Sequence, residues 1–282
     1  MKALAPVSIV LAWAAVALGD VPKEVNTNEL IAQVRAALEQ GKAAEAVTLA
    51  ERLVAKDRTK PQYWLLLGLG HGAAGDHAKA VADLTQVLSL DPKVPAAYDL
   101  RGSEEFKIGQ IDASIRDFDK FLELVPAQEP YHWRRGISYY YAGRFDEGAK
   151  QFAAYQTVDD NDVENAVWRF LCMARSAGVD EARKSLLKIK RDPRVPMMEI
   201  YALFAGKATP EEVLAAAKAG NPGADELRER LFYAEMYIGL YCEVTGDAAA
   251  AKQHILTAAD KYMIGHYMGD VARVHAERLR KP

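Results

Sequence analysis

Residues Trp64 to Pro92 read "WLLLGLGHGAAGDHAKAVADLTQVLSLDP", two stretches of helical apolar spacing joined at Gly75-Asp76. The segment carries no evident catalytic group, so its meaning has to be architectural. With Pro61 counted as position 1, the pattern returns 34 residues later at Pro95 and again at Glu129. Trp64, Gly68, His71, Gly75, Ala80, Leu84, Val87 and Pro92 stand at positions 4, 8, 11, 15, 20, 24, 27 and 32. The second unit places Tyr98, Gly102, Glu105, Gly109, Ser114, Phe118, Phe121 and Pro126 there, and the third His132, Gly136, Tyr139, Gly143, Gly148, Phe152, Tyr155 and Asp160.

Each position has a mechanical sense. Small residues at 8 and 20 let two helices approach closely, Gly at 15 turns the chain, and large residues at 4, 11, 24 and 27 fill the space between units. Pro at 32 ends the second helix. The pattern resembles the tetratricopeptide repeat, which implies an all-α superhelix of stacked antiparallel helix pairs.

On either side the register weakens. Residues 28–60 keep Gly41 and Ala46 at positions 15 and 20 but carry Leu30 and Ala37 where larger residues are usual, as expected of a terminal unit. The regular repeats span about 61–162, and residues 163–282 form degenerate units of the same single elongated domain. "DPKVP" at Asp91 and "DPRVP" at Asp192 lie 101 residues apart, one short of three periods, so the fourth unit has lost a residue. A truncated pair follows, its second helix opened by a capping box of Thr209 and Glu212. A last pair begins near Asp225, and a closing helix lies in "YMGDVARVHAERLR". About thirteen helices and no strand are expected.

The first nineteen residues, "MKALAPVSIVLAWAAVALG", have one charge, an apolar run and small residues before Asp20. They read as a secretory signal peptide, with an uncleaved anchor as the alternative. The mature chain is then expected to be exported, to the periplasm or beyond, without a membrane segment. Half of the 282 residues are apolar, enough for a continuous core. With 36 Lys and Arg against 39 Asp and Glu and no basic block, a nucleic-acid partner is not expected. Cys172 and Cys242 sit inside apolar helical patterns and read as small buried hydrophobes; a disulfide is the alternative.

Chemistry finds little footing. His71 and His77 flank a turn, but position 11 is a packing position and no cluster completes a metal site with them. The acidic run "DDNDVEN" from Asp159 lacks the Gly of a calcium loop and reads as a helix N-cap. His254, His266 and His275 share the C-terminal region with Asp260 and Asp270 at spacings that fit no zinc motif. No catalytic residue, metal or cofactor is therefore expected, and an enzyme whose groups meet only in the fold is the minority reading.

In such a superhelix positions 2, 5, 9, 12 and 13 line the concave face, where a partner binds. They pick out Leu65 and Leu69, then Asp99, Ser103, Phe106 and Lys107, then Trp133, Ile137, Tyr140 and Tyr141. The aromatic set offers large rigid contact area, the kind that anchors interfaces. Relatives that clamp a peptide's terminal carboxylate place Lys at position 5 and Asn at position 9; neither is present here. An extended or helical protein segment in a mixed apolar groove is expected instead.

The order of signal peptide, degenerate first unit, regular repeats and truncated pair is similar to the NlpI-type tetratricopeptide proteins of bacterial envelopes. The segment Leu231 to Met263, "LFYAEMYIGLYCEVTGDAAAAKQHILTAADKYM", carries most of the likeness. It implies a non-enzymatic adaptor, often a homodimer, that brings envelope proteases or peptidoglycan hydrolases to their substrates. An assembly factor for an envelope machine is the alternative. The lipid-modified Cys of those relatives is absent here.

Overall fold

A computed structural model describes residues 26–281; the segment read as a signal peptide lies outside the described residues. Three antiparallel pairs open the chain: α1 (Thr27–Glu39) with α2 (Ala43–Lys56), α3 (Pro61–Ala73) with α4 (His77–Leu90), and α5 (Pro95–Lys107) with α6 (Ile111–Leu124). A 3-10 turn, Pro126–Tyr131, leads to α7 (Trp133–Tyr141) and α8 (Phe145–Tyr155), then α9 (Val163–Ala177) and α10 (Val179–Lys184). The truncated pair is α11 (Met197–Phe204) and α12 (Pro210–Lys218). The last pair is α13 (Ala224–Thr245) and α14 (Ala248–Lys261), followed by α15 (Tyr267–Arg280). The described residues thus hold fifteen α-helices rather than about thirteen: seven pairs and the closing helix.

The turn inside each unit is the same object repeated. Gly75, Gly109 and Gly143 adopt φ of +80°, +78° and +75°, and the residue after each donates its amide to the carbonyl at position 11, at 2.8–2.9 Å. Only Gly enters this left-handed region without steric cost. The terminal unit shares the device through Gly41, with φ +69°. The capping box of Thr209 and Glu212 is present, and Asp162 caps α9 by accepting from the Glu164 amide at 3.0 Å.

Position 8 is small because the paired helix comes too close for anything else. A Cβ on Gly136 would stand 2.7 Å from the Phe152 ring. In the first two regular units position 11 is a polar packing site that pairs with position 23, twelve residues on, whereas Tyr139 of the third donates to Asp119 instead. His71 bonds Asp83 at 2.6 Å, which accounts for its burial. In the next unit the pair is Glu105 and Asp117, bridged by Arg101, whose Nε donates to Asp117 at 2.6 Å.

From Phe106 onward one apolar cluster runs continuously into α15, while Leu30 to Leu67 form a separate cluster under the first three helices. Cys172 and Cys242 are buried free thiols, and burial pushes the Cys172 thiol well above its ordinary range. No described helix is long and apolar enough to cross a membrane.

Candidate interaction groove

The ten groove residues lie along the first helices of three successive units, but the groove is not equally open along its length. Leu65 and Leu69 on α3 are half-buried. Leu65 packs towards Leu84 and Ala97, while Asn28, Ile31, Arg35, Glu39 and Gln62 border a separate open depression of ≈ 500 Å³. Arg35 and Gln62 are exposed. This N-terminal stretch mixes apolar and polar groups and, among the described residues, is uncovered.

Further along, the concave face is occupied by the chain itself. Tyr267 of α15 stacks on Phe106 with ring centroids 5.5 Å apart and meets Trp133 edge-on at 5.2 Å. His275 Nδ1 lies 2.9 Å from the Tyr141 hydroxyl. Arg273 donates to the Lys107 carbonyl at 2.9 Å, and Arg278 to the Tyr141 carbonyl at 2.9 Å. These last two bonds satisfy carbonyls at the ends of α5 and α7 that have no partner inside their own helices.

This corrects the expectation that the aromatic set faces a partner. Phe106 and Ile137 are fully buried, and Tyr140 and Tyr141 nearly so. So many large rings on one face would leave an extensive apolar patch in water, and α15 removes it. Ser103 is likewise buried, where it accepts from Arg134 at 2.8 Å.

The polar groove residues are held in ion pairs. Arg134 grips both oxygens of Asp99 at 2.8 and 2.7 Å, and His132 Nε2 lies 2.9 Å from the same carboxylate. Burial works to raise the Asp99 pKa, but these partners outweigh it and hold the carboxyl below its usual range. Lys107 bonds Glu104 at 2.8 Å and stands 3.7 Å from Asp270 of α15. His77 reaches the same two carboxylates, Glu104 at 2.6 Å and Asp270 at 3.7 Å. Against burial, which raises it, His77 and Lys107 keep the Glu104 pKa low.

The remaining histidines are dispersed. His254 bonds Glu235 at 2.6 Å, while His266 caps α15. Asp260 pairs with Arg280. Reading from the repeats missed Tyr267, Asp270, Arg273 and Arg278 because they lie beyond the last unit. The signal for them was the apolar spacing of Met268, Val271, Ala272 and His275, a helical stripe that needs something to cover.

Residues 31–95 match the family profile described as tetratricopeptide repeat, a stretch that joins the degenerate first unit to the first regular one. The fold is similar to a tetratricopeptide repeat protein from Parabacteroides merdae ATCC 43184, at 15% identity and TM-score 0.56, covering 90% of this chain and 99% of that one. It is also similar to the crystal structure of MamA protein, at 17% identity and TM-score 0.52, covering 64% of this chain and 92% of that one. MamA from Desulfovibrio magneticus RS-1 gives 17% identity and TM-score 0.52 over 56% of this chain and 89% of that one. At such identities the likeness establishes the fold: the chain is built from tetratricopeptide repeats in an all-α superhelix.

Proposed function

We propose that the protein is a non-catalytic interaction scaffold that binds a protein segment along the uncovered N-terminal stretch of its concave face. One observation carries the reading. The same face, two units on, already holds an amphipathic helix, Tyr267–Arg280, by apolar contact and bonds to helix-end carbonyls. A groove that accepts its own helix in this way has the chemistry of helix-in-groove recognition. The N-terminal depression, with Ile31, Ala32 and Ala36 beside Arg35 and Glu39, suits an amphipathic segment of mixed charge.

Export to the cell envelope rests on residues 1–19, and a role in recruiting envelope proteases or peptidoglycan hydrolases rests on the NlpI-type likeness of Leu231 to Met263. Self-association belongs to the same proposal. Position-resolved photo-crosslinking tests the binding face. A crosslinker at Leu65 or Leu69 is expected to capture a protein partner from envelope extract, and one at Ser89, exposed near the end of α4, is not. Equal capture from all three positions would sink the assignment.

A further inference from the structure

Between the third repeat and α15 lies a partly open cleft of ≈ 330 Å³. A concave site of this volume, lined mostly by apolar and aromatic side chains with a few polar groups, has the form of a small-ligand site. Its walls include five aromatic side chains, Trp133, Phe152, Trp168, Tyr233 and Tyr267, together with His266 and the carboxylates of Asp162 and Glu164. No lysine and no arginine lines it.

Three lining residues carry a buried polar atom without a hydrogen-bond partner: Asn165 Oδ1, Trp168 Nε1 and the Tyr267 hydroxyl. Asn165 is 3% exposed and Trp168 2%. Buried polar groups are normally satisfied, so these three atoms stand out beside the cleft, although none of them is exposed to it.

The charge selects among ligands. Arg194 is the one guanidinium bonded to Asp162, Glu164 and Asp192, at 2.8, 2.5 and 2.6 Å, which leaves the cluster with an excess of carboxylate. Burial raises the Glu164 pKa, the strain that an added cation would relieve. The two carboxylates in the lining disfavour an anion. The fold already sets a cation against two of these rings: the Arg134 guanidinium lies 6.0 Å from the centroids of both Trp133 and Tyr267, with its charge balanced by Asp99.

We propose that this cavity binds an organic ammonium group, held by cation–π attraction to its aromatic walls and by the carboxylates of Asp162 and Glu164. The ammonium comes either from a free small molecule or from a lysine side chain of a bound protein; both present a positive charge to the rings and carboxylates. Because Tyr267 and Met268 belong to α15, an occupant also pins that helix to the repeats.

Trp133 and Trp168 make the cavity its own reporter. The full chain is titrated with choline, with the lysine peptide acetyl-Gly-Lys-Gly-amide, and with 3,3-dimethylbutanol, the neutral isostere of choline, while tryptophan emission and melting temperature are followed. Saturable change is expected with choline or the peptide, at least about tenfold tighter than with the isostere, a difference of one decade in Kd. Tighter binding of choline identifies a free amine as the source, and tighter binding of the peptide a lysine. Glu164→Gln, near-isosteric with the carboxylate, should weaken the cation about tenfold and leave the isostere unchanged. Absence of saturation by both cations, or equal binding of choline and its neutral isostere, would overturn the proposal without recourse to any variant.

Discussion

Glu105 occupies a packing position that the neighbouring units fill with His71 and Tyr139, and it is 7% exposed. Burial, reinforced by the charge of Asp117, pushes its carboxyl up to about 7 from an ordinary 4.5. The folded chain then holds the proton more tightly than the unfolded one. This contribution favours folding below pH 4.5 and is lost as pH rises through 7. Glu105→Gln should remove the loss. Urea unfolding at pH 4.5 and pH 8 is expected to show the wild type losing on the order of 2 kcal/mol relative to the variant across that interval. Parallel pH profiles would exclude the effect. The sequence announced that position 11 is packed; it could not announce that the partner at position 23 would be a second carboxylate, since that pairing exists only once two helices lie side by side.

Helices here are set by close approach. Gly136→Ala would drive a methyl group into the Phe152 ring, and a cost of about 1–3 kcal/mol is expected in thermal or urea unfolding. Gly143→Ala meets nothing within 4 Å, yet must hold φ +75°. It should cost about 1 kcal/mol for the backbone alone. If the second were the costlier, the account of helix contact at position 8 would be wrong. This much was legible, because the repeat writes the same demand three times at fixed spacing. The placement of α15 was not. Its partners on α5 and α7 lie more than a hundred residues away, and no periodicity connects them. Trp133 shows the consequence: as a groove anchor it would be dispensable to folding, whereas the structure sets it against Tyr267. Trp133→Ala is therefore expected to destabilise the chain by about 2 kcal/mol or more, read as a lowered melting temperature. An unchanged melting temperature would restore the reading of a free anchor.

Across the molecule, repeat stacks are quasi-one-dimensional, each unit resting on its neighbours. Here α15 breaks that rule by reaching back from the C-terminal pair to the concave face of the second and third units, closing part of the groove and walling the aromatic cavity. The concave residues were readable from register, but their accessibility was not, because it depends on a helix outside the repeat. Hydrogen exchange of residues 267–280, followed by mass spectrometry on the full chain, tests this seating most directly. If α15 is packed as described, its amides exchange as slowly as those of α5 and α7, since their opening requires the core to open. Exchange within seconds, as for a solvent-exposed frayed helix, would contradict the self-occupied groove and return Phe106, Trp133, Tyr140 and Tyr141 to the partner-binding face.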